Sequence, residues 1–539
     1  MNTRVENAVI GDFAITTGAA VRAALLAGQE IALLDVREEA PYAESHPLFA
    51  ANLALGRIET DVYERIPRLT TQLVIYGNDD AHALQAAQRL HALGYTQVSL
   101  LADGLAGWEH GGGELFRDVN VPSKSFGELV EAERHTPSLS APEVHALLQG
   151  DAPPVVVDAR RFDEYHTMNI PGSQSLPGGE LVLRIRDLAP DPATPVIVNC
   201  AGRTRSIIGT QSLVNAGVPN PVWALRNGTI GWTLAGQTLE RGQTRRAGVY
   251  SAEARAWAAT QARQLADRAG VARIAARQLA EWRADLHRTT YVFDVRDPAE
   301  YQLGHLPGVI NAPGGQLVQE TDFVAPVRGA RIVLLDDDGT RANMAASWLA
   351  QMGWDVSVLD EFDTSRWTET GAYRPRRPAL PAVAVISARQ LQPLLQNGQA
   401  VVIDLAPSPQ YRKGHVPGAW FALRTQLVEI AADLPQAAHY VLASGDGALA
   451  SYAAAELAEI NGRPVQVLDG GTQAWLAAGL PLEREPVRFA SPPDDVYRRP
   501  YEGTDNPHSA MQAYLDWEFG LVAQLGRDGT HGFKVLAAQ

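Results

Sequence analysis

Short apolar runs that end in an aspartate recur four times along the chain at nearly equal distances. The four runs are Leu33-Leu34-Asp35, Val156-Val157-Asp158, Val292-Phe293-Asp294 and Val402-Ile403-Asp404. A tryptophan follows each aspartate after 73, 74, 73 and 71 residues, at Trp108, Trp232, Trp367 and Trp475. Short apolar runs rich in β-branched residues are typical of buried strands. Four such runs with matched spacing indicate an internal repeat.

Within each repeat, strand-like runs alternate with helix-like segments. A polar residue stands eleven positions after each aspartate, at His46, Asn169, His305 and His415, and a Pro-Gly turn follows the last three. A second strand, a loop and a helical segment come next, and the helical segments close on Gly94, Gly217, Gly353 and Gly462. Glycine is the residue that most often ends a helix. Each repeat is therefore predicted to be an α/β domain with a mostly parallel sheet flanked by helices.

The repeat divides the chain into four tandem domains and a tail. The predicted domains cover residues 10–117, 138–242, 272–373 and 383–487, and the C-terminal tail covers residues 488–539. Polar or proline-rich connections are expected near residues 118–137, 242–248 and 374–378.

Two segments outside the repeats are predicted to be helical. Residues 251–267 are rich in alanine, arginine and glutamine, which favour helix. In the tail, Asn506-Pro507 is a plausible helix start. The apolar residues at helical spacing after it are Met511, Tyr514, Leu515, Leu521, Val522 and Leu525. We expect this amphipathic helix to pack on a domain; binding a partner protein is the alternative.

Composition narrows the class of protein. The 539 residues exceed what one core supports, and the net charge of −15 disfavours nucleic acid or an anionic membrane as the partner. A single cysteine excludes an intramolecular disulfide and favours a cytoplasmic location. We expect no membrane span and no signal peptide. No cofactor is indicated, and the 13 histidines form no cluster with metal-ligand spacing.

The single cysteine, Cys200, lies between a strand-like run and a helical segment that begins near Ser206. The loop has the sequence Cys200-Ala201-Gly202-Arg203-Thr204-Arg205-Ser206. Backbone N–H groups, the positive end of a helix and two arginines favour a thiolate. The pattern predicts an unburied thiol of lowered pKa, which is the state of a nucleophilic cysteine. A cysteine buried as a small apolar side chain is the alternative.

The other three repeats serve as internal controls for this position. Gly77, Asp336 and Ser444 stand where the second repeat has Cys200. The third loop carries three aspartates, which would repel an anion. Because the strand aspartate occurs in all four repeats, Asp158 and Arg160 are predicted to support the loop rather than to react.

This order of features resembles the rhodanese family of sulfurtransferases. The matching features are Asp158-Ala159-Arg160, Asp294-Val295-Arg296, Glu164-Tyr165, Glu300-Tyr301, the Pro-Gly turns, the cysteine loop and the Gly228 to Trp232 segment. The resemblance implies that Cys200 accepts a sulfane sulfur as a persulfide from a small anionic donor such as thiosulfate. A thiol, cyanide or a protein would then accept that sulfur. In the family's tandem form an inert domain precedes an active one. Repeats one and two fit that form, and repeats three and four resemble a second such pair whose active member has lost its cysteine.

Arg203 and Arg205 are predicted to bind the sulfonate end of the donor, and Ala201, Gly202, Thr204 and Ser206 to complete its binding loop. Two other functions fit part of the pattern. Phosphatases and arsenate reductases related in fold place an arginine six positions after the cysteine, whereas Arg205 comes five after Cys200. A sulfur carrier or scaffold without turnover is the second alternative, because three of the four repeats lack a nucleophile.

Overall fold

The computed structural model describes residues 9–361, 364–461 and 464–538. Four sheets follow one another along the chain, and the strands of each come from one repeat. The helix end predicted at Gly462 lies outside the described residues. The four α/β domains are confirmed.

The first domain has six strands, of which only the pair β1–β2 is antiparallel among its described pairs. The strands are β1 (Val9–Ile10), β2 (Phe13–Thr16), β3 (Ala32–Asp35), β4 (Ala50–Asn52), β5 (Leu73–Tyr76) and β6 (Val98–Leu101), in the sheet order β1-β2-β6-β5-β3-β4. The helices are α1 (Gly18–Leu26), α2 (Glu39–Glu44), α3 (Ile58–Arg65), α4 (Asp80–Ala92) and α5 (Gly104–His110).

Helix α6 (Val121–Arg134) leads into the second domain, whose five strands are all parallel. The strands are β7 (Ser138–Leu139), β8 (Val155–Asp158), β9 (Gln174–Ser175), β10 (Val196–Asn199) and β11 (Val222–Leu225), in the order β7-β11-β10-β8-β9. The helices are α7 (Ala141–Leu148), α8 (Phe162–Thr167), α9 (Leu181–Leu188), α10 (Thr204–Asn215) and α11 (Gly228–Leu234).

Helix α12 (Ala252–Arg268) connects the second domain to the third and confirms the helix predicted there. The third domain has strands β12 (Ala272–Ala275), β13 (Thr290–Asp294), β14 (Ile310–Asn311), β15 (Arg331–Leu335) and β16 (Asp355–Glu361), in the order β12-β16-β15-β13-β14. Its helices are α13 (Ala276–Arg283), α14 (Pro298–Leu303), α15 (Gly314–Gln319), α16 (Thr321–Val324) and α17 (Arg341–Gln351).

The fourth domain repeats the same sheet order, and two helices of the tail follow it. The strands are β17 (Val385–Ile386), β18 (Ala400–Asp404), β19 (Trp420–Phe421), β20 (His439–Ala443) and β21 (Val465–Leu468), in the order β17-β21-β20-β18-β19. Its helices are α18 (Ala388–Gln396), α19 (Ser408–Lys413), α20 (Leu427–Ile430), α21 (Ala448–Asn461) and α22 (Gly471–Ala477), and the tail forms α23 (His508–Phe519) and α24 (Leu521–Asp528).

The polar residue eleven positions after each strand aspartate is a structural element of the repeat. His46, Asn169, His305 and His415 are buried and form isolated bridges with Phe116, Glu240, Glu369 and Glu483. Each bridge ties the turn to the chain that follows the repeat's final tryptophan. The replacement of histidine by Asn169 in the second domain leaves this connection intact, because backbone atoms make it.

The domains pack in an order that the sequence analysis did not predict. The second domain packs on the third, where Arg341 bonds to Glu180 at 2.9 Å. The first domain packs on the fourth, where Arg424 bonds to Glu59 at 2.7 Å. Each contact uses the short 3₁₀ or helical segment that follows β4, β9 or β19. The first domain also contacts the third, where the Tyr291 hydroxyl donates to the Arg65 carbonyl oxygen at 2.6 Å. The pairing inferred from the sequence concerns inert and active repeats and predicts none of these faces.

The connection between the first two domains is a buried helix rather than a polar linker. Helix α6 has Phe126 and Val130 fully buried, and it also buries Lys124 and Glu128. Both polar side chains are paired, so their burial is tolerated. Helix α6 thereby joins the second domain and the tail. Among the described residues, no helix is both long enough and apolar enough to cross a bilayer.

Candidate active site

The loop of Cys200 begins directly after β10, a central strand of the second domain. Helix α10 begins at Thr204, two residues earlier than predicted. The start of α11 packs on the loop from the side, because the N–H of Thr229 donates to the Cys200 carbonyl oxygen at 2.9 Å. Gly228, with φ +54°, lies so close that a Cβ there would stand 2.3 Å from the same oxygen. The shape of the loop therefore depends on a glycine outside it.

The Cys200 thiol is buried, with 1% of the residue exposed. Its Sγ lies 3.4 Å from the Ser206 Oγ, which in turn donates to the Arg203 carbonyl oxygen at 2.8 Å. Burial raises the pKa of the Cys200 thiol, while Arg205 and the hydroxyl and N–H groups of Ser206 lower it without overcoming burial. The predictions of an unburied thiol and of a lowered pKa are thus wrong for this arrangement, because desolvation outweighs the cation and the hydrogen bonds.

Arg205 lies close enough to the thiol to lower its pKa and is held by the half-buried carboxylate of Glu164. It donates to both oxygens of Glu164 at 2.7 and 2.8 Å. Burial acts to raise the pKa of Glu164, but Arg205 lowers it to about 2. The guanidinium keeps its charge close to Cys200 while its hydrogen bonds go to Glu164. Binding of a donor by Arg205 stays a prediction.

Arg203 has a different environment. It donates to both oxygens of Glu128 at 2.7 and 2.8 Å and to the Asn227 amide oxygen at 3.1 Å, and it also pairs with Glu131. The ring of Phe519 in the tail lies 4.3 Å from its guanidinium carbon. Arg203 therefore ties the loop to α6 and the tail, and in this arrangement its hydrogen bonds are committed to acidic side chains rather than open to a sulfonate.

Asp158 and Arg160 form a buried ion pair below the loop. Arg160 donates to the two Asp158 oxygens at 2.9 and 2.7 Å, and Asn199 donates to Asp158 at 2.9 Å. The pairs Arg37–Asp35 and Arg296–Asp294 repeat this contact in two domains without a cysteine. The geometry supports the predicted bracing role.

The C-terminal tail covers the cysteine loop. An apolar cluster joins the loop to the tail and consists of Ala201, Ile230, Tyr501, Met511, Tyr514 and Leu515. A Cβ at Gly202 would lie 3.1 Å from the Tyr514 ring. The prediction that a tail helix packs on a domain is confirmed, and the surface on which it packs is the loop of the second domain.

Lys124 and Glu518 lie where the tail meets the loop, and neither is among the site residues predicted from the sequence. Lys124 pairs with Asp118 at 2.7 Å and lies within 5.6 Å of three tail rings, those of Tyr501, Tyr514 and Trp517. Glu518 is fully buried. A sequence signal exists for the glutamate, since it follows Met511 and Tyr514 on the apolar stripe of the helix, where a carboxylate is unexpected.

The equivalent loops of the third and fourth domains place other side chains at the position of Cys200. The Ala342 N–H donates to Asp336 at 2.8 Å, and the Ala450 N–H donates to the Ser444 hydroxyl at 3.3 Å. These N–H groups correspond to that of Ser206. The loop geometry is therefore retained where the thiol is not.

Comparison with known proteins gives consistent matches. The rhodanese-like domain model matches residues 19–110, 140–235, 275–362 and 387–478. A crystal structure described as thiosulfate sulfurtransferase from Pseudomonas aeruginosa is 61% identical, with a TM-score of 0.94, and the match covers 97% of this chain and 100% of that one. A curated thiosulfate sulfurtransferase of Pseudomonas aeruginosa is 30% identical over an alignment of 181 positions, which covers 29% of this chain and 64% of the length of that relative.

Proposed function

The chain belongs to the rhodanese family, and we propose that this sulfurtransferase moves a sulfane sulfur from an anionic donor to an acceptor through a persulfide on Cys200. One observation carries the proposal. Of the four equivalent loops, the second alone holds a thiol, and that thiol lies beside the Arg205 charge and the N–H and hydroxyl of Ser206. These groups stabilise a sulfur anion, whether thiolate or persulfide.

In the first half-reaction the Cys200 thiolate attacks the outer sulfur of thiosulfate. A bond forms between Sγ and that sulfur, the bond to the sulfonate sulfur breaks, and its electron pair leaves with sulfite. In the second half-reaction a thiolate or cyanide attacks the terminal sulfur of the persulfide, and Sγ leaves as the thiolate. Charge and atoms balance in each half. Because sulfite leaves before the acceptor reacts with the persulfide, the kinetics are expected to be ping-pong.

Ser206 supports both sulfur anions by turning its hydroxyl. With the thiol protonated, Cys200 donates to the Ser206 Oγ, and Ser206 donates to the Arg203 carbonyl. When the sulfur becomes an anion, the hydroxyl can rotate and donate to it instead. Arg205 contributes its charge at the same time, as a neighbour held in place by Glu164.

Access to the sulfur requires movement of the tail. Cys200 is 1% exposed with the tail packed on its loop, so donor and acceptor reach Sγ only after a local displacement of the covering groups. Small acceptors such as cyanide or a low-molecular-weight thiol need the least displacement. A protein acceptor would need residues 501–519 to leave the loop.

Mass spectrometry tests the proposal directly. We expect thiosulfate to add one sulfur atom to Cys200 and cyanide to remove it through repeated cycles, while C200S stays unmodified. The matched control is S444A, which changes the equivalent position of the fourth domain and is expected to load and discharge like the wild type. Failure of both thiosulfate and mercaptopyruvate to load Cys200 would refute the proposal.

The same experiment separates the alternatives. A scaffold or carrier is favoured if sulfur loads once from a partner but shows no turnover, as three loops without a thiol would suggest. Steady hydrolysis of an aryl phosphate that C200S abolishes would instead indicate a phosphatase.

A further inference from the structure

Glu518 of the tail lies beside the cysteine loop, and only one of its two carboxyl oxygens accepts a hydrogen bond from a described residue. Its Oε1 accepts a hydrogen bond from the Tyr514 hydroxyl at 2.8 Å. Its Oε2 is buried and has no hydrogen-bond partner among the described residues. That oxygen lies 3.3 Å from the place a Cβ would take at Gly202, two residues after Cys200. A buried, unpaired oxygen at this position points toward the ligand site rather than toward the protein core.

The charged groups around Glu518 come from three elements. They are Lys124 and Glu128 on α6, Cys200 and Arg203 in the loop, and the neighbouring phenols Tyr514 and Tyr501 of the tail. Both cations already have carboxylate partners, since Lys124 pairs with Asp118 and Arg203 with Glu128. Burial therefore dominates and, helped by the charge of Glu128, raises the pKa of Glu518 to about 8.

We propose that Glu518 is a positioning residue for sulfur transfer, because its neutral carboxyl tolerates a sulfur anion at Cys200 and its ionised form opposes one. The inference rests on the proposed function of Cys200. The thiolate, the persulfide and the thiosulfate dianion are all anions in or beside the same loop. A second negative charge on Oε2 would repel each of them across a buried, weakly screened space.

The sign of the pH dependence follows from this coupling. Below about pH 8 Glu518 carries its proton, and the loop can hold a sulfur anion. Above it, the carboxylate raises the pKa of Cys200 further and repels an anionic donor. A reagent that carries a negative charge should therefore lose reactivity, relative to a neutral one, as the pH rises through this value.

Because Cys200 is the only cysteine, thiol alkylation reports this site alone. Iodoacetate is an anion and iodoacetamide is neutral, and both are small enough to reach Sγ by the same local displacement, with Glu518 still beside the loop. The contribution of that displacement is the same for both reagents and cancels in the ratio of their alkylation rates. In the wild type we expect the iodoacetate-to-iodoacetamide ratio to fall about three- to tenfold between pH 7 and pH 9.5, the size of a partly screened charge pair.

In E518Q the ratio is expected to stay constant, and the iodoacetamide profile should move to lower pH. The matched control is D516N, which removes an exposed carboxylate from the same helix and should behave like the wild type. Y514F is a second test, because loss of its hydrogen bond to Glu518 should move the midpoint of the ratio to higher pH. Circular dichroism will show whether E518Q folds. If it does not fold, Y514F provides the test.

A constant ratio in the wild type, or an E518Q profile equal to the wild type, would overturn the role of Glu518. This outcome differs from failure of the proposed function. If no donor loads Cys200 with sulfur, the persulfide is excluded, but the alkylation ratio still measures whether Glu518 controls charge at the loop. If sulfur loads and the ratio is constant, only the inference fails.

Discussion

The loops of the second and third domains share one scaffold and differ in what occupies it. Arg205 pairs with Glu164 in the second domain, and Arg341 pairs with Glu300 at the same place in the third. An ion pair retained where there is no thiol is part of the fold. The scaffold and the chemistry are therefore separable, and the thiol is the part that only one domain carries.

The third loop supplies its own anion. Asp336, in the place of Cys200, accepts hydrogen bonds from the N–H groups of Gly339 and Ala342 at 3.0 and 2.8 Å. Burial and the nearby Asp338 raise the pKa of Asp336 well above its ordinary range, while Arg341 lowers the pKa of Asp338. In the third loop the buried negative charge is the carboxylate of Asp338. In the second loop a sulfur anion on Cys200 would take that role.

The largest expected effect comes from moving the cysteine, and with it persulfide formation, from the second loop to the third. We expect C200S/D336C not to form a persulfide, because Asp337 and Asp338 still repel a thiolate and its donor. Removal of both carboxylates in C200S/D336C/D337A/D338G should allow sulfur to load on the introduced thiol, as measured by mass spectrometry with thiosulfate. Loading of C200S/D336C alone would show that the carboxylates do not silence the third loop.

Replacing the arginine of each loop separates its effect on the rate of sulfur transfer from its effect on the stability of the fold. R205Q should slow persulfide formation about 10- to 100-fold, equivalent to roughly 1.4–2.8 kcal/mol. It should also destabilise the fold by about 1–3 kcal/mol, because the half-buried Glu164 loses two charged hydrogen bonds and keeps only the longer contact with Arg161. R341Q is the matched control and is expected to lose stability without slowing sulfur transfer. Single-turnover kinetics and denaturant unfolding measure the two effects; an equal rate loss in both variants would mean that Arg205 acts only through the fold.

Replacing Gly228, beside the loop, should destabilise the protein more than replacing another glycine with a positive φ. G228A forces a Cβ to within 2.3 Å of the Cys200 carbonyl oxygen and is expected to cost about 2–4 kcal/mol. G236A, also at positive φ but with open space around it, should cost about 1–2 kcal/mol from backbone strain alone. Equal unfolding free energies for the two variants would contradict the close approach described for Gly228.

The smallest expected effect is on the pH dependence of stability. Burial and the neighbouring Asp338 raise the pKa of Asp336, so the folded protein holds this proton to higher pH than the unfolded chain, which loses it above about pH 4. This group therefore lowers the free energy of unfolding as the pH rises above that value. D336N should remove that slope and cost about 1 kcal/mol for one weakened hydrogen bond. An unchanged slope in urea unfolding from pH 4 to pH 8 would show that Asp336 is ionised in the fold.

Local patterns in the sequence are sufficient to predict the four domains, because apolar strands and their closing residues are encoded within each repeat. The same spacing locates the loop and its three counterparts. The cover of the cysteine loop is not predictable in this way, since it comes from tail residues such as Tyr514 and Glu518, more than 300 positions along the chain. Helix α6 is also missed, because half of its buried face is polar and stabilised only by tertiary pairs such as Lys124–Asp118.

The packing of the first domain on the fourth has a consequence for synthesis on the ribosome. This face of the first domain is completed only when Arg424, 368 residues after Gly56, has emerged. At about 5–20 residues per second, that wait is roughly 20–70 s. Residues 501–519 emerge well after the second domain, so a nascent chain carries a folded second domain whose cysteine loop has no tail packed on it. During that interval the newly made loop is more open to oxidants and sulfur donors alike, and arrival of the tail helix is the event that first covers it.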